Sequence, residues 1–322
     1  MLSAIKTLLA HPLETLRFIR ATQDINSGGS MTLDELRREP VRFELDIDYA
    51  DTGNPRHQLD IYLPRRRRKK PLPVIVFIHG GGWILGDKSD GAERLMPYVR
   101  SRRFAGISIG YRLADEAHWP EQLYDGKAAI RWIRAHAEQY NLDADRIAVC
   151  GRSAGGHLAL MLGTSCDQPE LEGNIGRFCD ASSKVAAVIN YFGVTDIQAL
   201  IGQPGNIDRC HDNAPEAHLI GGNIIDRPAI ARSASPVVYA HAAAAPVLTV
   251  HGTDDQTVPF DQAVRIHKAL SDAGSVSYFI VIRGGGHENF GNIADSRVQA
   301  FLEKHLLGKK RRINCSDIDF TD

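Results

Sequence analysis

Hydrophobic and polar positions alternate over VRFELDIDY from Val41, and again over HQLDIYL, as they do in half-buried strands. The turn residues DTGNP separate the two runs, and Pro64 ends the second. From Pro73 the pattern changes. VIVFI is an unbroken apolar run, the mark of a strand buried on both faces. The strand-like FAGISIG, RIAVCG, VAAVINYFG, PVLTVHG and VSYFIVI then alternate with helical segments. These are AERLMPYVRSR, EQLYDGKAAIRWIRAHAEQY, AGGHLALMLGTS, FDQAVRIHKALSDAG and ENFGNIADSRVQAFLEKHLLG, the last two ended by Gly274 and Gly308. A hairpin followed by repeated βα units predicts an α/β fold, a mostly parallel twisted sheet with helices on both faces.

The two ends and one internal stretch break this rhythm. Leu2, Ile5, Leu8, Leu9, Leu13, Leu16 and Ile19 fall at helical spacing, divided by Pro12. After the loop DINSGGS, MTLDELRRE reads as one more short helix. Residues 1–40 are therefore expected to form a helical arm or partial lid, and 41–308 the catalytic domain. Within it, 196–235 hold several Gly, Pro and short helical pieces and are expected as an insertion near the site. The tail 309–322, KKRRINCSDIDFTD, is polar and expected to fray.

The 322 residues carry 38 Lys+Arg against 39 Asp+Glu, a formal net charge of −1. That balance argues against a nucleic-acid partner. The basic run Arg65–Lys70, flanked by prolines, reads as a solvated loop. No stretch reaches the roughly 18–20 apolar residues that span a bilayer. Lys6 interrupts the short apolar start and no small-residue cleavage site follows, so the expected location is cytoplasmic. Cys150, Cys166, Cys179, Cys210 and Cys315 show neither C-x-x-C nor zinc spacing; a reducing compartment and no metal centre are expected.

Gly151-Arg152-Ser153-Ala154-Gly155 sits between a strand pattern and a helix pattern. A nucleophile elbow needs that order: a turn too sharp for flanking Cβ atoms presents the serine at a helix N-terminus. There the N–H of Ala154 is free to bind an anion. His79-Gly80-Gly81-Gly82-Trp83 follows VIVFI, and consecutive glycines let N–H groups approach an oxyanion closely. A phosphate-binding glycine loop is the weaker reading, because no helix signal with Lys-Ser/Thr follows in P-loop spacing. His287, in RGGGHENF after the last strand pattern, is the candidate base. The acid belongs between serine and histidine in this architecture. VHGTDDQTVP supplies two candidates, Asp254 and Asp255, and the chemistry alone does not choose between them.

In order, HGGGW, GRSAGGH, HGTDDQTVP and GGGH resemble the α/β-hydrolase esterases. The likeness is closest to the BD-FAE carboxylesterase type, which overlaps the hormone-sensitive-lipase-like enzymes. It runs from residue 57 to about 305 and takes in DIYLP, GDKS, SIGYRLA and WPEQLYDGKAAIRWIR. The resemblance implies a Ser153–His287–Asp255 triad, since the family pattern H-G-x-x-D-x-x-V-P puts the acid on Asp255. It implies oxyanion donors at Gly81, Gly82 and Ala154, a bracing role for His79 and no cofactor. His157 is expected to pack under the elbow. Trp83, Trp119 and Phe192 are candidates to line the pocket. The implied activity is hydrolysis of small or short-chain acyl esters through an acyl-enzyme. An amide-cleaving relative, arylformamidase-like or peptidase-like, is the alternative. A silent ligand-binding protein on the same fold is disfavoured because all three triad residues are present.

Overall fold

The computed structural model of the chain describes residues 31–288, 290 and 293–320. The helices expected over 2–20 lie outside the described residues. A nine-stranded sheet in the order β1-β2-β4-β3-β5-β6-β7-β8-β9 carries the fold. Its strands are β1 (Val41–Asp48), β2 (Gln58–Pro64), β3 (Leu72–Ile78), β4 (Ala105–Ile109), β5 (Leu142–Arg152), β6 (Ala187–Tyr191), β7 (Val247–Gly252), β8 (Ser277–Arg283) and β9 (Ile318–Asp319). β2 pairs antiparallel with β1 and with β4, and the pairs from β4–β3 to β8–β9 are parallel. The helices are α1 (Leu33–Arg38), α2 (Gly91–Arg100), α3 (Glu121–Ala135), α4 (Ala137–Tyr140), α5 (Ala154–Thr164), α6 (Pro215–Ile220), α7 (Pro228–Ser233), α8 (Asp261–Asp272) and α9 (Asp295–Leu307).

The apolar run of β3 is buried throughout, and successive side chains enter different cores, as the period-two geometry of a strand requires. Val74, Val76 and Ile78 pack with Leu123 and Ile130 of α3 and Leu158 and Met161 of α5. Ile75 and Phe77 pack with Leu95 and Val99 of α2 and Val298 and Phe301 of α9. Helices on both faces are thus what a fully apolar central strand demands. Because β3, β5, β6, β7 and β8 run parallel, the loops that follow them leave from one edge of the sheet. HGGGW, Ser153, Phe192, Asp255 and His287 all come after these strand ends.

The segment between β6 and β7 is built from 3-10 turns and the short α6 and α7. It is tied to the loop that carries Asp255: the Asn206 N–H donates to the Gln256 carbonyl at 2.7 Å.

The tail departs from expectation. Residues 309–320 are not frayed but fold back onto the sheet. Ile318 and Asp319 pair with Ile282 and Arg283 of β8, and the Phe320 N–H donates to the Arg283 carbonyl at 2.8 Å. Ile313 is buried. The physical reason is masked by the local polarity. Ile313, Ile318 and Phe320 are spaced among charges, so no short window looks apolar. The basic residues Lys309 and Arg311 pair with Glu303, whose side chain is only 4% exposed on α9.

Candidate active site

β5 turns into α5 through a single residue, Ser153, whose φ of 51° and ψ of −120° lie outside the regions a side chain ordinarily accepts. Its N–H is fixed by the Tyr191 carbonyl at 3.0 Å. The flanking glycines are steric necessities. A Cβ on Gly151 would sit 2.2 Å from the Gly155 carbonyl oxygen, and one on Gly155 would sit 2.2 Å from that of Ile78. Since α5 begins at Ala154, the Ala154 N–H has no partner one turn earlier and points from a helix N-terminus, where an anion is favoured.

Opposite the elbow, the glycine loop turns through Gly81 (φ 106°), Gly82 (φ 57°) and Trp83 (φ 59°). The Gly81 carbonyl accepts from Ile84 and Leu85 N–H at 3.0 and 2.9 Å, which holds the turn shut. Among the described residues no acceptor engages the N–H of Gly81, Gly82 or Ala154. His79 anchors the loop from inside. It stacks on Tyr111 with ring centroids 4.3 Å apart, and the Tyr111 hydroxyl donates to the His79 carbonyl at 3.1 Å.

His287 and Asp255 meet. His287 Nδ1 lies 2.7 Å from Asp255 Oδ2, and the Asp255 side chain is fully buried. Asp255 Oδ1 accepts from the N–H groups of Thr257 and Val258, each at 2.8 Å. Burial pushes the Asp255 carboxyl up, but the charge of His287 and the hydrogen bonds of His251 and His287 outweigh it. The group is held well below the usual carboxylate range. Asp254 stands apart: it is exposed, and among the described residues its carboxylate accepts only from its neighbour Thr253, Oγ1 to Oδ1, at 2.8 Å. His287 Nε2 is buried and, among the described residues, unpartnered.

Phe192 packs on the His287 ring at 4.6 Å between centroids. Trp83 and Trp119 both press edgewise on His157, at 5.1 and 5.6 Å. All three candidate pocket residues are buried, with indole N–H groups donated to His157 Nδ1 and to Ser233 Oγ. His157 Nε2 in turn donates to the Ala234 carbonyl at 2.7 Å. Accepting at one nitrogen and donating at the other, His157 must be neutral. It bolts the glycine loop to α5 and to the end of the 196–235 segment.

Burial lowers the pKa of both His79 and His157 from 6.5 to about 4. Both stay neutral in the fold while the unfolded chain takes up protons. The resulting stability is present in full above pH 6.5 and is lost as pH falls towards about 4. Each histidine contributes a slope of up to about 1.4 kcal/mol per pH unit. Urea unfolding at pH 7, 6 and 5 should therefore show a falling midpoint; equal stability at pH 7 and 5 would contradict it.

Two features were not legible in the sequence. His251 lies beside Asp255, its Nε2 3.1 Å from Oδ2. Cys166, Asp167 and His241 gather their donor atoms within 4.8 Å, a set that no spacing rule anticipates. There Lys184 already holds Asp167 at 3.0 Å, so a cation occupies the charge that a metal would need. A cavity of about 200 Å³ lies between α2 and α9, lined among others by Arg94, Arg152, Tyr98 and Tyr191. It backs onto the elbow, but neither Ser153 nor His287 lines it.

The BD-FAE family model matches residues 59–270. Among curated proteins, Esterase LipQ of Mycobacterium tuberculosis is 30% identical over 80% of this chain and 60% of its own length. Esterase LipC of the same organism is 28% identical over 74% of this chain and 58% of its own length. The chain thus spans about three-fifths of these curated relatives. Among solved structures, a truncated carbohydrate esterase from gut microbiota superposes with a TM-score of 0.71 at 31% identity, covering 78% of this chain and 90% of that one. Thermogutta terrifontis esterase 2 phosphonylated by sarin gives 0.67 at 25% identity, covering 84% of this chain and 96% of that one. With the ordered motifs, the sheet order and a family match across more than half of its length, the chain belongs to the BD-FAE family of α/β-hydrolases.

Proposed function

We propose that the protein is a serine carboxylic-ester hydrolase that works through Ser153, His287 and Asp255, on small or short-chain acyl esters. The observation that carries the reading is the 2.7 Å contact of His287 with a buried Asp255, on the same sheet edge as the strained Ser153. The esterase names of the relatives support it from outside the chain.

In the proposed cycle Asp255 accepts the Nδ1 proton of His287 and leaves Nε2 as the base. Nε2 removes the Ser153 Oγ proton as Oγ attacks the ester carbonyl. The N–H groups of Gly81, Gly82 and Ala154 receive the oxyanion. The imidazolium then gives its proton to the leaving alkoxide. Water, activated by the same Nε2, hydrolyses the acyl-serine and restores Oγ–H. Every proton is returned, and no metal or organic cofactor enters the cycle. Phe192 packs on His287, and Trp83 and Trp119 pack on His157.

Hydrolysis of p-nitrophenyl acetate, butyrate and decanoate tests the reading. The expected result is kcat/KM highest for the two short chains and at least about tenfold lower for decanoate. Absence of turnover on all three would defeat it. A second reading, ester groups carried on a carbohydrate, draws on the gut-microbiota carbohydrate esterase, 90% of which aligns with this chain. Release of acetate from acetylated oligosaccharides, measured beside the aryl esters, separates the two; an anilide of the same acyl group checks amide cleavage.

A further inference from the structure

Asp255 faces two histidines. His287 Nδ1 lies 2.7 Å from Oδ2, and His251 Nε2 lies 3.1 Å from the same oxygen. His251 is fully buried near the end of β7, between Phe192 and Phe260, whose rings meet it edgewise at 6.3 and 5.9 Å. Its Nε2 also lies 2.8 Å from the Val258 carbonyl oxygen. A carbonyl and a carboxylate only accept, so Nε2 must carry the proton. Nδ1 is buried with no partner among the described residues, so a second proton there would be an unsatisfied, desolvated charge. His251 is therefore a neutral imidazole in the Nε2–H tautomer.

This completes the carboxylate. Oδ1 takes the N–H groups of Thr257 and Val258 at 2.8 Å each, and Oδ2 takes the His287 Nδ1–H and shares, at 3.1 Å, the one Nε2–H that His251 gives to the Val258 carbonyl at 2.8 Å. With three donors of its own and the shared His251 N–H, the carboxyl plane cannot rotate without breaking at least one bond in a buried site, where an unmade bond is costly. Among the described residues, the titratable groups against Asp255 are His251 and His287, and its other hydrogen bonds come from the main-chain N–H groups of Thr257 and Val258.

We propose that His251 is a positioning residue for the reaction: its Nε2–H locks the Asp255 carboxylate in the plane that presents Oδ2 to His287 Nδ1. The inference rests on the proposed Ser153–His287–Asp255 hydrolase. His251 touches neither substrate nor Ser153 and acts through Asp255 alone.

The test compares His251→Phe, which removes the donor between two aromatic neighbours, with His251→Gln. Glutamine carries an amide N–H at about the reach of the imidazole Nε2. The expected result for His251→Phe is a kcat about 10- to 100-fold lower on p-nitrophenyl butyrate with KM within about twofold, as when other orienting partners are lost. His251→Gln should recover kcat to within about fivefold. In parallel, the low-field proton resonance of the His287 Nδ1–H, assigned by its loss in His287→Gln, should shift or broaden in His251→Phe and return in His251→Gln. A kcat for His251→Phe within twofold of the parent overturns the proposal. So does equal damage in both variants with the resonance unmoved, since that is a packing effect. If His251→Phe does not fold, His251→Asn, too short to reach Oδ2, replaces it. If the parent protein hydrolyses no ester, the hydrolase reading fails, and the resonance alone decides whether His251 holds Asp255.

Discussion

Replacing Ser153 by Ala is expected to lower kcat on an aryl ester by about 10⁶, the scale seen when a triad nucleophile is removed. No neighbour can stand in. The oxygen that attacks must leave the turn between β5 and α5, where the glycines exclude any other side chain. Retention of more than a few per cent of parent activity would take Ser153 out of the mechanism. The same position makes an opposite prediction for stability. At φ 51° and ψ −120° a Cβ is strained, at a cost of about 1–3 kcal/mol. Ser153→Ala keeps the Cβ and should unfold near the parent midpoint. Ser153→Gly removes it and should be more stable by on the order of 1 kcal/mol, after the added freedom of the unfolded chain is subtracted. Chemical denaturation of the three proteins reads this directly. A glycine variant less stable than the parent would show that the turn is not strained.

The second large effect is expected at Asp255. Asp255→Asn should reduce kcat by about 10⁴, because an amide can donate to His287 Nδ1 and so stabilise the wrong tautomer. The surroundings make escape difficult. Oδ1 already faces two N–H groups, so the amide oxygen belongs there and the NH₂ is forced towards the histidines. Asp254→Asn should cost less than about tenfold. Its side chain is exposed and, among the described residues, hydrogen-bonds only the Thr253 hydroxyl. The two variants are compared for kcat on one ester. Greater damage from Asp254→Asn would require the acid to be reassigned.

The parallel sheet was legible because its strands are continuous apolar runs between helical periods. VIVFI could be nothing but a doubly covered strand once helices flanked it, and β3 is that strand. The elbow was legible because its glycines answer a steric demand that shows in sequence. The choice of Asp255 over Asp254 came from family resemblance alone, since adjacent aspartates are indistinguishable until one is seen to be buried. His251 left no mark. Its contact with Asp255 depends on a turn that folds a residue four positions later back beside it, and no periodicity encodes that. The C-terminal strand was misread for a related reason. β9 is two residues long, and its partner β8 lies some 35 positions away in the chain.

That short strand also gives the molecule a handle. Phe320 meets the ring of Phe290, three residues past His287, at 6.1 Å between centroids, and Arg283 pairs with Asp319 at 3.0 Å. Residues 318–320 are thus a brace on the loop that carries His287. A bead, surface or fusion partner attached through residues 318–320 pulls on that brace. An attachment on the polar loop Arg65–Lys70, which follows β2 and precedes β3, leaves the brace unloaded.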